Sequence, residues 1–236
     1  FFRVVLCLAA CLAIGGLPKA AETSTLLTAL PSPILLRGND QIAFRDPLLI
    51  REGGKFHLFY SYVRQEEDRL IYWYVAVSES TNLADWTPPR ILTPKDQNLN
   101  YASPGNVIRV GGEWLLTCQT YPIVNFRRGD KLRFADDRAR LFIMRSKDLV
   151  TWGQPELIKV KGPAVPEKDM GRMIDPFLLR DKDQPGKWWC FFKQGGKVRS
   201  ATSWDLNHWM PTSVELAQGI DASLDAATSN GVSWAS

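Results

Sequence analysis

From Ile42 onward the chain alternates short apolar runs with polar turns, and the three-to-four-residue apolar spacing of an amphipathic helix is weak throughout. The runs LLIR, FHLFYSY, IYWYVAVS, NVIRV, WLLTCQTY, ARLFIMRS, FLLR and WWCFFK are of strand length and rich in β-branched and aromatic residues, so they predict β-strands. Pairs of runs are divided by Gly53-Gly54, by Gly111-Gly112 and by Asp183 to Lys187. Such residues supply the positive φ angles that a hairpin turn needs.

One phrase recurs three times with the same internal spacing, S-x-[DN]-L-x-x-W: Ser80 to Trp86, Ser146 to Trp152 and Ser203 to Trp209. Each copy closes a longer unit. The units open at Asp46-Pro47, Ser103-Pro104 and Asp175-Pro176, pass through a hairpin and a third strand, and end in the phrase. A fourth strand is expected after each Trp, near Arg90-Ile91-Leu92, Leu157-Ile158-Lys159 and Ser213-Val214-Glu215. In the phrase, Ser and Asp or Asn can bond local backbone amides while Leu and Trp anchor the turn on the sheet. Repetition of one supersecondary unit predicts an all-β array of four-stranded antiparallel blades, a β-propeller, with about three blades over 42–95, 100–162 and 172–218. Two insertions interrupt it. Ile123 to Arg138 reads as a solvated loop of mixed charge, and Lys161 to Met173 links the second and third units.

The first 21 residues depart from this pattern. Arg3 precedes the apolar run Val4 to Leu17, and Ala20 and Ala21 follow, as in a secretory signal. The run is short for a membrane span. Leu8-Ala9-Ala10-Cys11 also resembles a lipoprotein box, although the stretch after Cys11 stays apolar where a mature lipoprotein turns polar. The expected location is therefore secreted or periplasmic. Net charge is +4, and setting aside Arg3 and Lys19 leaves +2, which argues against a nucleic-acid partner. Beyond the leader only Cys118 and Cys190 remain, each in an apolar run, and they read as buried free thiols. No spacing of His, Cys, Asp and Glu suggests a metal, and no cofactor is implied.

In a propeller the opening strands of all blades run the same way along the axis, so their first residues gather at one mouth of the central channel. Those positions are Asp46, Ser103 and Asp175. Two carboxylates from alternate blades would face one pocket, and paired carboxylates are what cleavage of a glycosidic bond requires. Asp-Pro is also a common turn dipeptide, so each Asp alone has a structural reading. Arg45, beside Asp46, could bond a substrate hydroxyl or carboxylate, or serve an ion pair between blades. Trp73, Tyr101, Trp114 and Trp188 could stack on a sugar, or fill the core as most strand aromatics do. His57 reads as a partly buried structural histidine and His208 as an exposed one.

These residues resemble those of the five-bladed β-propeller glycoside hydrolases, especially glycoside hydrolase family 43 with its arabinanases, β-xylosidases and α-L-arabinofuranosidases. The resemblance covers Ile42 to about Thr212 and rests on Phe44-Arg45-Asp46-Pro47, on Met173-Ile174-Asp175-Pro176-Phe177 and on the repeated phrase. It implies Asp46 as the general base that activates water and Asp175 as the residue that raises and orients the acid. Arg45, Tyr101 and Ser103 are then the expected substrate contacts, and the partner is an oligo- or polysaccharide. The family's acid is a Glu opening the fourth blade, and no Glu follows Glu215 here. The chain is therefore expected to be part of a longer gene product. A sialidase fits less well, because its box Gly is missing. A glycoside phosphorylase would need a basic phosphate pocket, and a binding propeller would need neither acid nor phosphate site.

Overall fold

The computed structural model describes residue 30 and residues 34–131 and 138–212. The leader, the lipoprotein-like box and the strand expected at Ser213 to Glu215 lie outside them. The described chain is all-β apart from one 3-10 turn, Glu167–Asp169. Thirteen strands form three antiparallel sheets taken in chain order. The first is β1 (Ile42–Glu52), β2 (Lys55–Gln65), β3 (Ile71–Ser80) and β4 (Arg90–Ile91). The second has a divided opening strand, β5 (Tyr101–Ala102) and β6 (Val107–Val110), both paired with β7 (Glu113–Thr120), then β8 (Leu141–Ser146) and β9 (Glu156–Leu157). The third is β10 (Ile174–Arg180), β11 (Trp188–Gln194), β12 (Lys197–Ser203) and β13 (Met210–Pro211). Its fourth strand thus follows Trp209 at once, a few residues before the expected place.

The Gly-Gly pairs do what their backbone freedom allows. Gly53 and Gly54 both have positive φ between the closing pair Glu52 and Lys55, and Gly111 and Gly112 repeat this between Val110 and Glu113. Two consecutive positive φ angles give the hairpin twist that matches the strands.

The repeated phrase is one structure built three times. Ser146 Oγ accepts the Leu149 amide at 2.9 Å, and Asp148 Oδ1 accepts those of Val150 and Thr151 at 2.8 and 2.7 Å. Equivalent bonds run from Leu83, Ala84 and Asp85 to Ser80 and Asn82, and from Leu206, Asn207 and His208 to Ser203 and Asp205. The network holds Leu83, Leu149 and Leu206 at φ of 64°, 63° and 62°. That conformation costs a leucine about 1–2 kcal/mol. The bonds and the burial of each Leu offset it.

Period-two alternation splits the middle strands of the first and second sheets between two cores. Phe142 and Met144 of β8 join Phe59, Val75 and Val77 between the first and second sheets. Leu141 and Ile143 join Leu178, Cys190 and Trp209 between the second and third. Cys118 and Cys190 are free and fully buried thiols, and burial pushes both up to about 12.

The second and third sheets are also keyed together by polar groups. The buried Asn106 amide donates to Leu178 O at 2.8 Å and accepts the Leu178 amide at 3.0 Å, as a strand would. Thr117 Oγ1 lies 3.1 Å from Pro176 O. Gly105 faces the same carbonyl, and a Cβ built there would fall 1.7 Å from it. Backbone approaches this closely only where no side chain intervenes.

The described residues of the insertion after β7 are mostly exposed, as its charges suggest, and one residue anchors it. Phe126 is buried and its carbonyl accepts the Ile71 amide at 2.8 Å, while Gln97 bridges Ile71 O and the Asn125 amide. The loop is thereby fastened to the first sheet.

Gly105→Ala should cost about 3 kcal/mol or more in urea unfolding, because two sheets would have to separate. Gly153→Ala, whose Cβ would meet only Arg145 O at 3.6 Å, should be close to neutral. Ser146→Ala should cost about 1–3 kcal/mol by stranding buried amides.

Candidate functional site

The opening strands share a defect that aims their polar residues. In the first sheet the register runs Arg45 opposite Ser61, then Leu48 opposite Phe59, so Asp46 and Pro47 together face only Tyr60. In the third it runs Ile174 opposite Lys193, then Phe177 opposite Phe191, so Asp175 and Pro176 face only Phe192. Each is a bulge with one extra residue. In the second sheet the interruption is wider, from Ala102 opposite Gln119 to Val107 opposite Leu116. Asp46, Ser103 and Asp175 all adopt the left-handed conformation, with φ of 53°, 45° and 57°. Asp tolerates that region better than most residues. The reversal turns these side chains out of the sheet pleat.

They turn into one hollow. A pocket of about 280 Å³ is lined by Arg45, Asp46, Ser103, Tyr121, Asp175 and Phe177, together with the intervening backbone. The two carboxylates therefore share one end of the sheet stack. Asp46 Oδ2 accepts from Ser61 Oγ at 2.7 Å and from Ser103 Oγ at 2.8 Å. Ser61 Oγ in turn accepts the Ser103 amide at 2.7 Å. Both hydroxyls converge on one oxygen and fix the plane of the carboxylate.

Asp175 stands in different surroundings. Its side chain is exposed to solvent at the hollow, with part of its surroundings occupied by protein. This partial desolvation is the main cause that raises its pKa; the Asp46 charge adds to the rise, and Lys193 and Arg172 oppose it. Its backbone amide donates to Oε1 of the fully buried Gln119. Tyr121 lies within the field of both carboxylates and of Arg45 and Arg172; burial first, and then Asp175, push its hydroxyl upward. The Tyr121 ring meets Trp73 edge-on at 5.3 Å, and the Arg45 guanidinium lies 5.7 Å from the Trp73 ring. Arg45, Trp73 and Tyr121 thus form one wall.

Of the residues expected from sequence, Asp46, Ser103, Arg45 and Asp175 meet in this pocket. Tyr101 does not. It is 3% exposed in the core between the first two sheets, edge-on to Phe142 at 5.3 Å, and burial pushes its hydroxyl up to about 12. Its position on β5, paired with Thr120, points it into the inter-sheet core, and it does not line the pocket. Trp73 and Trp188 are buried, and Trp114 packs against the same core under Arg109. His57 is buried 3.7 Å from Glu79, and its pKa is lowered, chiefly by burial. Ser61, Gln119 and Tyr121 were not expected. Ser61 stands among aromatic neighbours on β2, Gln119 lies between Cys118 and Thr120 on β7, and Tyr121 follows directly after that strand.

The stretch leading into β10 is held by Arg140, 3% exposed, whose guanidinium donates to Glu167 O at 2.8 Å and Gly171 O at 2.7 Å. Among the described residues no group of His, Cys, Asp and Glu could hold a metal, and no helix is long and apolar enough to cross a membrane.

No family model matches the sequence, and no characterised protein matches it at sequence level. Solved structures do match the fold. A candidate glycoside hydrolase from Parabacteroides distasonis has a TM-score of 0.54 at 18% identity, over 74% of this chain and 51% of its own. A structure from the mannoside phosphorylases, in a family containing glycoside hydrolases that target β-1,2 mannosidic linkages in Candida mannan, has a TM-score of 0.50 at 16% identity, over 72% and 49%. An N-acetylgalactosamine deacetylase from F. plautii, in complex with blood group B trisaccharide, has a TM-score of 0.52 at 11% identity, over 76% and 55%. The chain spans about half the length of these structures. At these identities the likeness establishes a propeller-type fold of the kind found in glycoside hydrolases and related enzymes.

Because the Asp175 pKa is raised, the folded protein retains this proton where the unfolded chain has lost it. The stability so conferred is complete below 3.8 and falls as pH rises through the raised value. Asp175→Asn, which suits the left-handed backbone, should raise the Tm at pH 7 and leave it unchanged near pH ~3. Calorimetry at the two pH values checks this; a lower Tm at pH 7 would show that the carboxylate is stabilising.

Proposed function

We propose that the protein is part of an exported, inverting glycoside hydrolase on a five-bladed propeller, acting on arabinose- or xylose-type polysaccharides. Asp46 is the base and Asp175 the modulator of the acid. The observation that carries this reading is the pair of carboxylates at matched bulges in one hollow, each in a different environment. Two hydroxyls tie Oδ2 of Asp46, so Oδ1 is oriented to take a proton from an attacking water. Asp175, with its raised pKa, favours the proton-bearing side of the site. Arg45, Ser103 and Tyr121 line the same space and offer hydrogen bonds to sugar hydroxyls. Among the described residues no Glu lines the hollow, so the acid is not assigned within them.

The fold alone does not choose this chemistry, since a deacetylase shares it. The choice rests on the carboxylates. Phosphorolysis is the second reading, favoured by the cationic Arg172 and Lys193 whose charges act on Asp175. Inorganic phosphate would then replace water as the nucleophile.

Aryl glycosides with a strongly acidic phenol leave without help from an acid, so they report the base alone. The protein should hydrolyse dinitrophenyl arabinofuranoside or xyloside, and Asp46→Asn should reduce the rate by about 10²-fold or more while the circular dichroism stays unchanged. Undiminished turnover in the variant would remove Asp46 from the mechanism. Sugar 1-phosphate appearing only with added phosphate would replace hydrolysis by phosphorolysis.

A further inference from the structure

The second strand of each sheet places one polar residue opposite the residue that precedes the bulge. The register identifies it three times: Ser61 opposite Arg45, Gln119 opposite Ala102 and Lys193 opposite Ile174. The first two do the same work across a sheet boundary. Ser61 Oγ accepts the amide of Ser103, the left-handed residue of the next sheet. Gln119 Oε1 accepts the amide of Asp175, the left-handed residue of the sheet after that. Each sheet thus seats the opening residue of its successor. Lys193 has no acceptor on its side chain, so the pattern changes there; its cation acts on the Asp175 carboxylate instead.

Gln119 is the informative member. It is 0% exposed, so no substrate touches it. A backbone N–H can bond only to the amide oxygen, which fixes the orientation of the group and leaves Nε2 on the other side. Nε2 is buried and has no hydrogen-bond partner among the described residues. A buried primary amide with an idle N–H₂ is costly, by about 1–3 kcal/mol, and leucine or methionine would fill the space more cheaply. What the amide supplies is an acceptor for one backbone N–H that the bulge would otherwise strand.

We propose that Gln119 is the positioning residue of Asp175: by accepting its amide, Gln119 locks the left-handed bulge and sets the angle at which the carboxylate meets the hollow. The inference rests on the reading of Asp175 as a functional carboxylate, but its test needs no substrate. The measurements are amide hydrogen exchange at Asp175 and titration of its side-chain carboxyl by carbon NMR, with Asp46 as the internal control. Gln119→Met keeps the volume and removes the acceptor. It should speed exchange at the Asp175 amide at least ~10-fold and move the carboxyl pKa, while Asp46 titrates as before. Gln119→Glu restores an acceptor oxygen and adds a negative charge beside Asp175. It should keep the amide protected and raise the carboxyl pKa further. If Gln119→Met does not fold, Gln119→Leu, which also lacks the acceptor at similar volume, carries the same two readings. An Asp175 amide that exchanges no faster once the acceptor is removed, with its carboxyl titrating as in the native protein, would overturn the proposal. Loss of glycoside hydrolysis in the native protein, with both readings as expected, would instead overturn the hydrolase assignment and leave the positioning role standing.

Discussion

The structure depends on placing one residue in the left-handed conformation ahead of a proline in each opening strand. A strand would otherwise point alternate side chains into the two inter-sheet cores, with no polar group free to face the axis. An inserted residue with reversed φ breaks that alternation and releases one side chain from it. Each reversal costs about 1–2 kcal/mol for a residue with a Cβ. It persists because the surroundings over-determine it. Pro47, Pro104 and Pro176 have no amide to leave unpaired. Ser61 and Gln119 accept the amides of the reversed residues that follow them, and Ser103 anchors the carboxylate of the one before.

The same boundary contacts bind the site to the stability of the fold. The junction of the second and third sheets is joined by polar contacts as well as by its core. Asn106 pairs with both polar groups of Leu178, and Gly105 lies against Pro176 O. These contacts fall within three residues of Asp175 on β10. A shift between the sheets large enough to move the carboxylate would break the Asn106 pair and open the core around Leu115, Leu178 and Cys190. The rigidity of the site is that of the sheet interface, and Arg140 extends it by donating to carbonyls of the linking stretch.

Much of this was legible in the sequence because repetition exposes it. The three S-x-[DN]-L-x-x-W phrases became one turn because Ser and Asp or Asn bond the backbone locally, and local bonds survive any change in the rest of the fold. The opening Asp and Ser residues could be aligned on their prolines for the same reason. Tyr101 shows where such reasoning fails. It stands two residues from Ser103, but only the divided strand β5–β6 reveals that it faces the core. That division departs from the simple bulge of the other two sheets. The exposure of the insertion after β7 was legible because its charges are visible in sequence, whereas its anchor through Phe126 and Gln97 runs through long-range bonds that are not. Ser61 and Gln119 left only a faint trace, because His57 on β2 and Thr117 and Thr120 on β7 are polar as well. The trace acquires meaning only once the register shows that the places correspond.

The identities of the three opening residues bear on whether they serve the turn or the site. If left-handed geometry were the only requirement, Asp or Asn would be favoured at all three positions, since both adopt it more readily than serine. The middle position carries Ser103 at φ 45°, the least suited of the three. Its hydroxyl donates to Asp46 Oδ2 at 2.8 Å. A third carboxylate there would face Asp46 at hydrogen-bonding distance, and like charges so close cannot both ionise. Serine is therefore explained by the carboxylate next to it and not by the turn it occupies. The order Asp, Ser, Asp separates two acids by a neutral donor, which the left-handed turns alone do not require.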